Sequence, residues 1–95
     1  MDKSVIGIKT KVMDNICYTD LVYHRINKKL NKQLTKSGIE EMLLDLIQET
    51  NEMHFQKTGK NYYISNMENN IRIAINSNTY RVITADVLNK NKRKQ

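Results

Sequence analysis

The chain has no proline and no tryptophan, three glycines, one phenylalanine and one cysteine in 95 residues. A lone Cys17 rules out an intramolecular disulfide and suits a reducing compartment, so the expected location is the cytoplasm. Without proline and with little glycine, the turns fall to Asn, Asp and Ser, which tolerate or hydrogen-bond tight backbone conformations. No apolar run approaches a membrane span or a signal-peptide core, because Val5-Ile6-Gly7-Ile8 is cut off by Lys9 and Lys11. No membrane partner is expected.

Motif chemistry is equally sparse. His24, His54 and Cys17 have no metal-ligand spacing, and there is no phosphate loop, dinucleotide fingerprint or nucleophile elbow. Neither a metal nor a cofactor is implied.

What is present is patterning. Ile71, Ile73 and Ile75 alternate with Arg72, Ala74 and Asn76, and Tyr80, Val82 and Thr84 alternate with Arg81 and Ile83. A period of two describes strands with one buried face. If Ser77 and Asn78 form a two-residue hairpin loop, Ile75 faces Tyr80, Ile73 faces Val82 and Ile71 faces Thr84. Asn61 to Ser65 pairs back across Asn66 to Asn70 and adds Tyr62 and Ile64 to the apolar side. The outer side then carries Tyr63, Arg72 and Arg81, with the two arginines close together diagonally. Such a face is a candidate base or phosphate platform, although outer faces of antiparallel sheets are ordinarily polar and solvated.

Upstream, Tyr18, Val22, Ile26 and Leu30 recur at i+4 and predict a helix from an Asp14 N-cap to about Leu30, with Cys17 inside it. Ile39, Met42, Leu43, Leu46 and Ile47 predict a second helix. Its cap is Ser37 with Glu40 at capping-box spacing, or alternatively Thr35, and Met53 extends its apolar stripe toward a stop at Gly59. Residues 1–13 read as a loose arm or an edge strand guarded by Lys9 and Lys11. The expected fold is α+β: one domain over residues 14–88, with two helices on one face of a three-stranded antiparallel meander, and a basic tail over residues 89–95 expected to be disordered.

The net charge is +6 and the mean hydropathy −0.66. Lys90, Lys92, Arg93 and Lys94 carry four of the sixteen positive charges; in the remainder twelve Lys and Arg face ten Asp and Glu, a net of +2. Arg25, Lys28, Lys29, Lys32 and Lys36 run without an intervening acid, whereas Glu40, Glu41, Asp45, Glu49 and Glu52 cluster further on. Helix-dipole complementation explains two or three of the first helix's cations more easily than five.

The segments NICYTDLVYHRINKKLNKQLTKSGIEEMLLDLI, GKNYYI and NIRIAINSNTYRVITAD resemble a small uncharacterised bacterial domain family over about Asn15 to Leu88. The resemblance implies one compact domain and carries no activity and no functional residues with it. Gly38 departs from the helix former, such as Glu, expected there.

Three readings follow. The first is a nucleic-acid-binding module using Arg25, Lys28, Lys29, Lys32, Tyr63, Arg72 and Arg81. The second is a protein-binding inhibitor or regulator of a phage or mobile element, using Glu41, Asp45 and Glu49. The third is a metal-independent endoribonuclease in which His54, Lys60 and Arg81 share the general acid, general base and phosphorane-stabilising roles, similar in outline to the barnase, colicin-nuclease and toxin-endoribonuclease group. An open sheet edge also admits a twofold homodimer.

Overall fold

The computed structural model describes residues 3–89, with side chains from residue 7 onward. Three helices, α1 (Lys3–Asn15), α2 (Asp20–Leu30) and α3 (Lys36–Glu49), precede a 3₁₀ turn (Glu52–His54) and four strands, β1 (Phe55–Thr58), β2 (Asn61–Asn66), β3 (Ile71–Asn76) and β4 (Val82–Val87). The strands form one antiparallel sheet in the order β1-β2-β3-β4.

The inward isoleucines carry this architecture. Ile64, Ile73 and Ile75 are fully buried and meet Val22, Ile26, Ile39, Leu43, Ile47, Val82 and Ala85 in one core, with Ile71 and Tyr62 packed at its margin. The period-two reading of these strands therefore holds, and so does the period-3.6 stripe of α3.

Several expectations are corrected. Residues 3–15 form a helix rather than an arm or edge strand; Val12 is buried in the core, and Lys9 Nζ donates to the Gln48 and Thr50 carbonyls at the end of α3. Lys9 thus closes a helix terminus, where free carbonyls attract a cation.

The expected Asp14–Leu30 helix breaks at Ile16–Thr19. There Cys17 leaves the helical path and makes a parallel bridge to Arg81: its N–H donates to the Tyr80 carbonyl and its carbonyl accepts from Val82 N–H, both at 2.9 Å. Backbone groups freed from one helix are satisfied by the margin of the sheet.

α3 is capped by Thr35, whose Oγ1 accepts from Gly38 N–H at 3.0 Å, and not by Ser37. A fourth strand, β1, precedes the expected three. Gly59, at φ +61°, turns β1 into β2 instead of ending a helix, and Met53 is exposed rather than buried.

The β3–β4 register also differs. Tyr80 adopts φ +61°, Asn76 N–H donates to the Arg81 carbonyl, and a bulge falls between Ala74 and Ile75. Ile75 therefore pairs with Val82, Ile73 with Ala85 and Ile71 with Val87. Thr84 stands opposite Ala74 on the outer face, not on the apolar one. A longer loop with one extra residue in the ladder keeps apolar residues inward while sliding the strand.

At the far end of α3 a buried polar latch is formed. Asn66 Nδ2 donates to Thr50 Oγ1 at 3.0 Å and to the Leu46 carbonyl at 3.3 Å, while its Oδ1 accepts from the Asn69 N–H and amide.

Candidate nucleic-acid interface

α2 positions most of the basic residues. It buries Val22 and Ile26 and leaves Leu21, His24, Arg25, Lys28 and Lys29 in solvent. Its end is fixed by Asn31 in the left-handed region, followed by Lys32 N–H donating to the Asn27 carbonyl at 2.8 Å. The Asn27 side-chain amide then bonds both backbone groups of Leu34, each at 3.0 Å. This clamp sets the α2–α3 loop and with it the place of Lys32. Lys28 and Lys32 line one shallow depression together with His24, Asn27 and Asn31.

The Cys17 bridge does the corresponding work at the other end of α2. By joining the chain before α2 to the residue before β4, it brings Arg81 to the same side of the molecule as Arg25. The two arginines line a cleft of about 270 Å³ with Thr19, Leu21, Val22, Val82 and Ile83. Arg25 also donates to the Ile83 carbonyl at 3.4 Å. Among the described residues, the basic set has one ion pair, Lys29 Nζ to Asp86 at 3.8 Å, between two partly exposed side chains.

Tyr63 and Arg72 occupy a different surface. The Arg72 guanidinium lies over the Tyr63 ring, 5.5 Å from its centroid, on the outer face of the sheet beside Ala74. The expected diagonal contact of Arg72 with Arg81 is absent. Arg72 stands opposite Asp86, whereas Arg81 is level with Asn76, four residues along β3, or about 13 Å at ~3.3 Å per residue. The slipped register is the cause.

The nuclease trio is not assembled either. His54 ends the 3₁₀ turn before β1, in a shallow pocket with Glu49, Ser65 and Glu68. Arg81 precedes β4 at the opposite corner of the sheet, about 20 Å away by strand count and rise. Lys60 sits in the β1–β2 turn, two strands from Arg81, with its carbonyl accepting from Ser77 N–H.

The acidic residues Glu41, Asp45 and Glu49 are exposed along one edge of α3. Glu40 instead turns toward α2 and accepts from the Tyr23 hydroxyl at 2.6 Å. This hydrogen bond, with some burial and the carboxylate charge, raises the Tyr23 phenol to about 12. Burial first, then the same carboxylate, raises neighbouring Tyr18 to about 12. Both are neutral structural tyrosines at ordinary pH, stacked at 5.7 Å.

Among the described residues no group of three or more His, Cys, Asp or Glu is placed to hold a metal ion, and no helix is long and apolar enough to cross a membrane.

A family model described as a protein of unknown function, DUF3781, matches residues 10–86. The chain belongs to that family. No curated protein and no solved structure matches it. The matched span begins inside α1 and ends within β4, so the Cys17–Arg81 bridge and the whole of α2 and α3 fall inside the DUF3781 region.

Sequence reasoning missed the pairing of Arg25 with Arg81, which depends on the break before α2. No proline or glycine marks that break; its only sign is Thr19-Asp20, a usual helix-start pair.

Proposed function

We propose that this DUF3781 protein is a small nucleic-acid-binding module that grips the phosphate backbone along the exposed ridge of α2. The observation that carries the reading is that α2 borders two basic depressions, one lined by Lys28 and Lys32 and one by Arg25 and Arg81, with none of these four in an ion pair among the described residues. Along α2, Arg25 to Leu30 spans about 8 Å at ~1.5 Å per residue, and with Lys32 just beyond its end the reach is about three phosphates of one strand. Dipole complementation accounts for Lys28 and Lys29 in the last turn of α2, but not for Arg25 in its middle, Lys32 beyond its end or Arg81 on another element. Backbone contacts of this kind position a protein without reading sequence.

Fluorescence anisotropy with labelled duplex DNA, single-stranded DNA and RNA tests this. Four neutralised phosphates predict affinity falling about 50-fold for single strands and about 150-fold for duplex between about 50 and 200 mM salt. Arg25→Gln with Lys28→Gln should remove about half of that salt dependence while the protein stays folded by circular dichroism. Absence of binding at low salt, or binding indifferent to both substitutions, overturns the proposal.

A further inference from the structure

A second surface, which adjoins the Lys28 depression at Lys32 and Leu34 but contains none of Arg25, Lys28 and Arg81, has a different chemistry. Between the end of α2, the outer side of α3 and the β2–β3 turn runs a groove in two adjoining parts, of about 440 Å³ and 500 Å³, sharing Lys32, Met42, Leu46 and Asn69. Its floor is apolar, made by Leu30, Leu34, Met42, Leu46, Ile71 and Val87. Leu34 is one of the few large apolar side chains that stand exposed, and the Asn27 clamp holds its backbone in place. One rim is acidic. Glu41, Asp45 and Glu49, four residues apart, line the second part of the groove, are exposed, and take part in no ion pair among the described residues.

From this combination we infer that the groove docks a basic amphipathic segment of a partner protein, its apolar side chains on Leu34, Met42 and Leu46 and its Lys or Arg residues along the Glu41–Asp45–Glu49 rim. Two features select that occupant. An apolar floor asks for side chains at i, i+3 or i+4 spacing, the usual way a helix fills a groove. Three like charges in a row on α3, about 12 Å from end to end at ~1.5 Å per residue, repel an acidic or nucleic-acid ligand and steer a cationic one. The same row is poorly suited to α3 itself: Glu49 lies in the last turn, at the negative end of the dipole, and α3 has no acid in its first turn. The apolar floor is small, so the docking is a transient, micromolar-class contact.

The test titrates the full ¹⁵N-labelled chain with a synthetic helical peptide of leucine and lysine at i, i+3, i+4 spacing. Amide shifts should concentrate at Leu34, Met42, Leu46 and Ile71. Glu41→Gln, Asp45→Gln and Glu49→Gln together should weaken binding about tenfold, as expected for three exposed charge contacts. Leu34→Ser should weaken it as well, whereas a glutamate-for-lysine peptide should not bind and a leucine-free oligolysine should bind far more weakly. Shifts centred on Arg25 and Arg81 or on Tyr63 and Arg72 of the outer sheet face, equal binding of oligolysine, or indifference to the triple substitution overturn the inference. So does a concentration-dependent doubling of mass abolished by the triple substitution, which would make a second copy the occupant. Markedly tighter binding by a chain ending at Asn89 would also overturn it, by giving the groove to residues 90–95. None of these readouts involves nucleic acid or the Arg25, Lys28 and Arg81 side chains, so the two proposals fail separately.

Discussion

α2 and α3 solve the same packing problem with opposite exteriors. Each lays an apolar stripe on the sheet: Val22 and Ile26 from α2, Ile39, Leu43, Leu46 and Ile47 from α3. Outward, α2 shows Arg25, Lys28 and Lys29, and α3 shows Glu41, Asp45 and Glu49. Packing dictates the inner stripes, because a helix of this length is held by tertiary burial more than by propensity. It does not dictate the outer charges, which make few contacts with one another. The two helices touch through Tyr23 and Glu40 rather than through their charged ridges. Core packing thus leaves the sign of each exterior open; Lys28 and Lys29 complement the α2 dipole, whereas Arg25, Glu41, Asp45 and Glu49 have no such structural role.

The sharpest way to break this division is to show that inner and outer residues do not behave differently. Ile47→Ala removes a fully buried side chain of α3 and should cost about 2–5 kcal/mol, read as a lower urea midpoint. Loss of Asn66 comes next. Asn66→Ala leaves the Asn69 donors and the Thr50–Leu46 end of α3 without their partner and should cost about 1–3 kcal/mol. The caps distinguish the helices more finely. Thr35→Ala should cost about 1 kcal/mol through the lost bond to Gly38, while Thr19→Ala, at an N-cap with no side-chain bond, should change stability by only a few tenths. Neutralising Lys28 or Asp45 should leave the urea midpoint nearly unmoved, within about 0.5 kcal/mol.

A pH titration probes the contact of α2 with α3 at Tyr23 and Glu40. Tyr18 and Tyr23 are raised from 10.0 to about 12, so the native state binds their protons more tightly than the unfolded chain does. Their contribution is complete below pH 10 and is lost as pH rises toward 12. Tyr23→Phe should shallow that loss, followed by phenolate absorbance and thermal melting together.

The legible parts of the fold were those where periodicity and burial agree. Ile71, Ile73 and Ile75 alternate cleanly and point inward, and the stripe from Ile39 to Ile47 becomes α3. β1 was not legible because Phe55-Gln56-Lys57-Thr58 has one apolar residue and an exposed remainder; its strand character comes from pairing with β2. α1 was hidden because Ile6, Ile8 and Val12 fit a weak alternation as well as a helix. The i+4 series from Tyr18 to Leu30 ran across the break at Ile16–Thr19, since Cys17 is satisfied by Tyr80 and Val82, far along the chain and invisible to local spacing. The bulge at β4 is a tertiary matter too, and it moved Arg81 from the sheet platform with Arg72 to the α2 cleft with Arg25. For the candidate site, the sequence therefore held the basic run itself but not its partner arginine.

The most direct measurement is the slope of log affinity against log salt for a chain ending at Asn89, which removes the four cations at Lys90, Lys92, Arg93 and Lys94 and leaves the α2 ridge intact. With four ridge cations engaged, the slope should stay at about −3 to −4, and Arg25→Gln with Lys28→Gln should about halve it. Binding that disappears with the last six residues, or a slope unchanged by the two ridge substitutions, would contradict the account.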